Sequence, residues 1–191
     1  RDHRKLVIVD GSTAFAGGIN FSGAYARGSR FWRRKGADSI KSGWRDTHLQ
    51  LEGPSTVELQ KLFLQSWQKQ KCARLSTTGY LPAPVDAGDT LLRLIASSPD
   101  THRNESYAAA LSAVSFAKSS IDLTMAYFVP DAQLETALRD AASRGVRVRL
   151  LLPGLSDFSG VVQAGRAHYQ RLLESGVQIY EEPRVVLHAK T

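Results

Sequence analysis

The second half of the chain alternates short apolar segments with longer helical patterns, and this alternation limits the fold more than any other feature. The apolar segments predict strands at 121–127, 146–152 and 177–180. The helices are predicted at about 105–118, 130–144 and 161–174. Gly145 and Gly176 fall where two of these helices should end. Strands separated by helices of this length are typical of α/β proteins with a mostly parallel or mixed sheet.

The first half of the chain is less regular, but it contains strand and helix signals as well. The run Leu6–Val9 predicts a buried strand, and the alternation over 47–51 predicts a second one. Pro54 suits the first position of a helix. The side chains expected on the buried face of this helix are Val57, Leu62, Phe63 and Trp67. The predicted organisation is a first lobe at 1–75, a linker rich in Ser, Thr, Gly and Pro at 76–89, and a second lobe at 90–191.

Both ends of the chain lie close to predicted strands, and the first residue is not methionine. Natural domains rarely begin or end inside such segments, so we expect a piece of a longer protein whose N-terminal region could carry a membrane anchor. The net charge of +7 suits polyanions such as nucleic acid, anionic lipid or phosphorylated small molecules. The single cysteine, Cys72, excludes an internal disulfide, and the longest apolar runs are too short to span a bilayer.

The pattern His-x-Lys occurs at both ends of the chain, as His3 with Lys5 and as His188 with Lys190. Residues two apart in a strand point the same way, so each histidine should share one space with its lysine. A neutral imidazole serves as a nucleophile or proton carrier, and an ammonium group stabilises charge on phosphoryl oxygens. Two such pairs facing one another would supply a nucleophile, an acid/base group and two cations for one phosphodiester, and they would need no metal ion.

A single His-x-Lys is common and usually marks a solvated strand end. The first copy, however, continues into Asp10 and then into Gly17, Gly18 and Asn20. This arrangement resembles the phospholipase D superfamily, whose signature is H-x-K-x-x-x-x-D followed by six residues and G-[GS]-x-N. Further segments are similar to bacterial cardiolipin synthases, at 44–54, 126–131, 150–157, 179–181 and 187–190. The aspartate of a second complete motif would lie beyond Thr191.

The resemblance implies two pseudo-symmetric α/β sandwich lobes with mixed sheets, of which the first is truncated in this chain. It also implies that the two motif histidines approach one another between the lobes. His3 would attack phosphorus to form a phosphohistidine, while His188 would protonate the leaving alcohol and later activate the incoming one. The catalytic residues implied are His3, Lys5, Asp10, His188 and Lys190, with Asp10 fixing the turn of the motif. The residues implied for phosphate binding or support are Gly17, Gly18, Asn20 and Asp46.

Other polar residues have two interpretations each. Asp46 is expected to hold the far nitrogen of His3, because family members place an acidic residue on the strand after the first motif; the alternative is a salt bridge to a nearby arginine. His48, on the same strand face, is either a supporting group or a plain surface histidine. His102 and His168 have no partner pattern and are expected to be ordinary.

A basic segment with two interleaved aromatic residues spans Arg27–Lys35. Such a segment can lie on an anionic membrane with its rings at the level of the headgroups. The alternative is a solvated loop whose charges have no specific partner.

The function implied by the resemblance is a phosphatidyl transferase that joins two phosphatidylglycerols into cardiolipin and glycerol. Its expected partners are anionic phospholipid and the membrane surface, without nucleic acid, cofactor or metal. We expect it at the bacterial inner membrane, peripheral or anchored by a segment that this chain lacks. One alternative is hydrolysis by a phospholipase D or nuclease of the same superfamily, and another is an inactive lipid- or nucleic-acid-binding scaffold. The sequence leaves the oligomeric state open.

Overall fold

The computed structural model describes residues 3–22, 25, 43–75, 79–97 and 104–191. These residues belong to two compact units. The first unit comprises Arg1–Ile19 and His48–Ala96, and the second comprises Asn20–Thr47 and Ser97–Thr191. Residues 20–47 follow the two glycines of the first motif, and they therefore group with the C-terminal half of the chain. None of the helices in the described ranges is both long and apolar enough to cross a membrane.

The first unit contains a three-stranded antiparallel sheet. Its strands are β1 (Lys5–Val9), β2 (Thr13–Gly17) and β3 (His48–Glu52), in the order β1-β2-β3. Asp10 and Gly11 turn β1 into β2 with φ values of 51° and 66°. Gly11 is required in this turn, because a Cβ there would lie 2.5 Å from the Pro82 side chain.

Helix α1 (Ser55–Lys69) packs on this sheet and begins one residue after Pro54. Its buried residues are Thr56, Leu59 and Gln60, and the Thr56 hydroxyl donates to the carbonyl oxygens of Gly11 and Gly53. The predicted buried face was therefore wrong in part. Val57 and Leu62 lie off the 56–59–60 face, and Phe63, although in line with it, is 39% exposed.

The second unit contains a parallel sheet flanked by helices. Its strands are β4 (Ser120–Thr124), β5 (Arg147–Pro153) and β6 (Gln178–Glu182), in the order β4-β5-β6. Its helices are α2 (Glu105–Phe116), α3 (Ala132–Ser143), α4 (Ser159–Arg166) and α5 (Tyr169–Glu174). The predicted helix at 161–174 is thus two helices, with a break at Ala167 and His168.

The core of the second unit is aliphatic. Leu150, at the centre of β5, pairs with Leu123 and Ile179 on the neighbouring strands. The largest fully buried apolar side chains are Leu138, Leu150, Leu152, Leu172 and Val148. Each buried leucine contributes roughly 1.5–3 kcal/mol relative to exposure in water. The antiparallel and parallel sheets together confirm the predicted α/β class with mixed sheets.

The C-terminal segment 186–191 connects two parts of the second unit. On one side, the backbone N–H of Ala126 donates to Ala189 O, and that of Thr124 donates to Thr191 O. On the other side, the backbone N–H of His188 donates to Arg45 O at 2.8 Å. This pairing brings Asp46 to the second motif.

Candidate active site

The second motif is built around a buried ion-pair geometry between His188 and Asp46. His188 Nδ1 lies 2.7 Å from Asp46 Oδ2, and the side chains of these residues are 7% and 0% exposed. The other carboxylate oxygen, Oδ1, accepts a hydrogen bond from the backbone N–H of Thr47 at 2.8 Å. Because a carboxylate only accepts hydrogen bonds, the neutral His188 ring carries its proton on Nδ1 and its lone pair on Nε2.

Tyr25 lies against both members of this dyad. Its hydroxyl is 3.2 Å from Asp46 Oδ2 and 3.1 Å from His188 Nδ1. Burial raises the pKa of Tyr25, and the charge of Asp46 raises it further, against hydrogen bonds from Asn20 that lower it. The phenol therefore stays protonated at neutral pH and donates its hydrogen to the carboxylate.

Lys190 folds back onto the histidine two residues before it. Its Nζ donates to the backbone oxygen of His188 and lies 3.0 Å from each ring nitrogen. In the first motif, Lys5 Nζ donates to His3 O at 2.7 Å and lies 3.0 Å from His3 Nδ1. The two His-x-Lys pairs thus share one local geometry, as the spacing of two residues in an extended chain predicts.

Three aromatic rings surround the imidazole of His188. The ring centroids of Trp44, Tyr25 and Tyr127 lie 5.3, 6.4 and 6.3 Å from that of His188. Lys190 Nζ is also 5.9 Å from the Tyr127 ring, within reach of a cation–π attraction. Local sequence patterns do not single out these aromatic residues, although Trp44 and Tyr127 lie in segments that resemble the family.

The residues of the first motif lie on and around the hairpin of the first unit. His3 precedes β1, Lys5 begins it, and Asp10 occupies the turn with a positive φ. Gly17 pairs with both Lys5 and His48 across the antiparallel sheet, so these three positions share one face. Gly17 has no side chain and leaves this face open beside the lysine. Gly18 follows the strand directly.

Asn20 and His48 belong to different surroundings. Asn20 lies in the second unit and is hydrogen-bonded to Tyr25. Because Tyr25 contacts His188, Asn20 lies near the second motif rather than near the first. His48 Nδ1 is, within the described ranges, the one buried side-chain nitrogen or oxygen that lacks a hydrogen-bond partner. A buried ring nitrogen without a partner is costly, and it distinguishes His48 from a plain surface histidine.

One expectation needs correction. Asp46 was expected to hold His3, but its carboxylate binds His188, because the pairing of Arg45 with Leu187 brings Asp46 beside the second motif. His168, which the sequence left without a partner, has its Nδ1 2.6 Å from the buried carboxylate of Glu135, and this contact gives it a structural role. The basic segment Arg27–Lys35 and His102 lie outside the described residues. Within the ranges that the structure describes, no group of three or more His, Cys, Asp or Glu side chains is placed to hold a metal ion.

Comparisons with known proteins show that this chain is similar to cardiolipin synthases. A family model described as "Cardiolipin synthase, PLD-like domain" matches residues 111–191. The cardiolipin synthase of Geobacillus thermodenitrificans is 38% identical over 192 aligned residues, which cover all of this chain and 36% of that protein. The cardiolipin synthase of Alkalihalophilus pseudofirmus is 36% identical and cardiolipin synthase 2 of Bacillus anthracis is 35% identical, with the same coverage.

The chain thus spans 36% of the length of these curated relatives. Among solved structures, polyphosphate kinase from Porphyromonas gingivalis is 21% identical and matches 38% of this chain and 11% of that chain. Its TM-score of 0.30 is too low to inform either fold or function.

Proposed function

This chain belongs to the phospholipase D superfamily, and we propose that it supplies the catalytic residues of a phosphatidyl transferase of the cardiolipin synthase type. In the proposed reaction, a phosphatidyl group moves from one phosphatidylglycerol to a hydroxyl of another, and glycerol is released. The observation that supports this best is the buried His188–Asp46 dyad with Lys190 against the same ring. This arrangement combines a proton carrier with a cation, as displacement at a phosphodiester requires.

The first step forms a covalent intermediate. A ring nitrogen of His3 attacks phosphorus and the bond from phosphorus to the glycerol oxygen breaks, leaving the phosphatidyl group on the histidine. His188, protonated on both nitrogens, gives its Nε2 proton to the departing glycerol oxygen. The buried carboxylate of Asp46 keeps the remaining proton on Nδ1 and balances the charge of the ring before the transfer.

The second step reverses these roles. A hydroxyl of the second phosphatidylglycerol gives its proton to His188 Nε2 and attacks phosphorus, while the bond between phosphorus and the His3 nitrogen breaks. Lys5 and Lys190 stabilise the negative charge of the non-bridging oxygens in both steps. Asn20 adds a polar group near the dyad, and Asp10 maintains the turn that follows β1. The proposal requires both histidines to serve one phosphorus atom.

We place the reaction at a membrane surface, because both substrates of the proposed reaction are lipids. The two competing functions differ in what accepts the phosphatidyl group. A phospholipase or nuclease transfers it to water, and an inactive scaffold transfers nothing. Since all three share the His-x-Lys pairs, only the products distinguish them.

The decisive experiment is a product analysis with the full-length protein that carries this chain. The protein is incubated with phosphatidylglycerol vesicles in the presence of EDTA, and lipids are resolved by mass spectrometry. Cardiolipin and glycerol in equal amounts are expected, with loss of both in His188→Ala and full retention in Asp122→Asn, a matched change at an exposed carboxylate of β4. Phosphatidic acid without cardiolipin would favour a hydrolase. Binding to vesicles without any turnover would favour a scaffold.

A further inference from the structure

We propose that Tyr127 and Asp157 form a subsite for the hydroxyl groups of the substrate's alcohol headgroup. The inference rests on the proposed function, because it concerns the same reaction centre. It assigns to these two residues the recognition of a small polyol attached to phosphate, of which glycerol is the expected example.

Tyr127 connects the subsite to the catalytic histidine. Its ring stands edge-on to His188, with an interplanar angle of 87° and centroids 6.3 Å apart. Its hydroxyl donates to Asp157 Oδ1 at 2.7 Å. One tyrosine side chain therefore lies beside the imidazole with its ring and binds the carboxylate of Asp157 with its hydroxyl.

The fold holds these two residues in place. Tyr127 follows β4 and Asp157 follows β5, and because these strands are parallel neighbours, both residues lie at the same edge of the sheet. The backbone after Tyr127 packs tightly on α4, since a Cβ at Gly165 would collide with Phe128 O. The Ser156 hydroxyl accepts from the backbone N–H of Phe158 and thereby shapes the turn around Asp157.

The carboxylate of Asp157 keeps one oxygen available. Its Oδ1 accepts hydrogen bonds from Tyr127 and from the Ser156 hydroxyl, at 2.7 and 3.2 Å. Its Oδ2 has no donor among the described residues, and the residue is exposed. A carboxylate oxygen in this state forms strong, charge-assisted hydrogen bonds with hydroxyl groups.

The two charges near Tyr127 differ in sign. Lys190 Nζ, 5.9 Å from the ring centroid, attracts the phosphate, and Asp157, at the hydroxyl, repels it. A phosphodiester whose alcohol carries further hydroxyls matches this polarity, with its anionic part at the lysine and its hydroxyls at the aspartate. A phosphodiester with an apolar alcohol gains nothing from the carboxylate.

The competing interpretation is a structural one, in which the Tyr127–Asp157 bond only fastens two loops. The chain offers a matched control, because Tyr107 makes the same kind of bond to Asp131, the N-cap residue of α3. Tyr107→Phe and Asp122→Asn therefore control for Tyr127→Phe and Asp157→Asn. Tyr127→Phe keeps the ring beside His188 and removes only the hydroxyl.

The test compares two donor lipids in the full-length protein, phosphatidylglycerol and phosphatidylethanol, whose headgroup lacks further hydroxyls. Both are assayed with 1-butanol as the acceptor, so that phosphatidylbutanol is the product measured in each case. Asp157→Asn is expected to raise the KM for phosphatidylglycerol about tenfold, the loss that follows from one charge-assisted hydrogen bond. The KM for phosphatidylethanol should stay the same or fall, because a repulsive charge is removed. Tyr127→Phe should change the same preference less, and the two control variants should not change it.

Equal losses on both lipids would show that the Tyr127–Asp157 bond only stabilises the local structure, and they would overturn the subsite. Unchanged kinetics on both lipids would overturn it as well. Should the wild type release phosphatidic acid rather than cardiolipin, the proposed function fails, but the headgroup preference is still measured on hydrolysis. Without any turnover, calorimetric binding of glycerophosphoglycerol and glycerophosphoethanol gives the same comparison. A preference for the first ligand that Asp157→Asn abolishes supports the subsite, and its absence in the wild type overturns it.

Discussion

Asp46 and His188 are 142 positions apart in the chain, and yet Asp46 Oδ2 lies 2.7 Å from His188 Nδ1. The contact depends on backbone pairing: His188 N–H donates to Arg45 O, and Arg45 N–H donates to Val186 O. The position of the carboxylate is therefore set by a strand-like pairing and by Thr47, whose backbone N–H binds the second oxygen. An imidazole held in this way has one tautomer and one orientation.

Replacing Asp46 tests the dyad directly. Asp46→Asn keeps the shape of the side chain but offers a neutral amide, so Nδ1 is no longer held by a charged acceptor. We expect kcat in the full-length protein to fall about a hundredfold or more, in the range of general acid–base catalysis. Steady-state kinetics give the rate, and circular dichroism at the same protein concentration verifies the fold.

The matched comparison is Tyr25→Phe, which removes a hydroxyl from both members of the dyad but leaves the carboxylate. A smaller loss, about fivefold to tenfold, is expected from one neutral hydrogen bond. A loss as large as that of Asp46→Asn would contradict the primary role given to the carboxylate.

A substrate whose leaving group needs no proton distinguishes the roles of His3 and His188. If His188 is the general acid, His188→Ala should still release p-nitrophenol from a p-nitrophenyl phosphodiester, because this leaving group needs no proton. His3→Ala, which lacks the nucleophile, should release none. Burst kinetics in a stopped-flow spectrophotometer measure the first step alone. The reverse pattern would exchange the two roles and identify His188, whose Nε2 carries the lone pair in the neutral ring, as the nucleophile.

Local sequence patterns were sufficient for the parallel sheet and for the shape of each His-x-Lys pair. Leu150 and its apolar neighbours form a run that is visible in the sequence, and the run is buried from Leu150 onwards except for the half-buried Leu151. The lysine beside His188 follows from the two-residue repeat of an extended chain. The individual strands and the His-x-Lys geometry depend on residues within a few positions of one another, and the alternation of strands with helices then favours parallel pairing.

The partner of Asp46 depends on contacts between distant segments, and local patterns do not contain them. Proximity in sequence favoured His3, which is 43 positions from Asp46, whereas the observed partner lies at the other end of the chain. The same reason explains the missed bond between Glu135 and His168, which joins α3 to the residue before α5 across 33 positions. The break between α4 and α5, at Ala167 and His168, lacks a Gly or Pro at the break itself.

The basic segment Arg27–Lys35 offers a test that distinguishes a membrane partner from a nucleic-acid partner. Neutralising Arg30, Arg33 and Arg34 together should weaken binding to phosphatidylglycerol vesicles, since each cation near an anionic membrane contributes about 1 kcal/mol. Turnover of a small soluble phosphodiester should remain, because the His-x-Lys pairs are untouched. Vesicle co-sedimentation and DNA binding are measured in parallel at two salt concentrations. A triple variant that loses DNA affinity and keeps its vesicle affinity would favour a nuclease.

The bond network at Glu135 predicts how the stability of the second unit depends on pH. Arg171 and His168 lower the pKa of Glu135 from its ordinary 4.5 to about 2, through hydrogen bonds of 2.6 Å each. Because the folded pKa lies below the unfolded one, this stabilisation is complete above pH 4.5 and is lost as the pH falls towards 2. Arg171 is half-exposed, so after allowing for screening we expect about 1–2 kcal/mol at neutral pH.

Glu135→Gln should therefore lower the free energy of unfolding at pH 7 by that amount, while the difference from the wild type should shrink between pH 4.5 and pH 3. Urea titrations at pH 7, 5, 4 and 3 in the full-length protein, followed by circular dichroism, measure it. Glu174→Gln changes an exposed carboxylate at the end of α5 and serves as the control. A difference between Glu135→Gln and the wild type that stays constant down to pH 3 would mean that the charge of Glu135 contributes nothing, and that the side chain acts through packing alone.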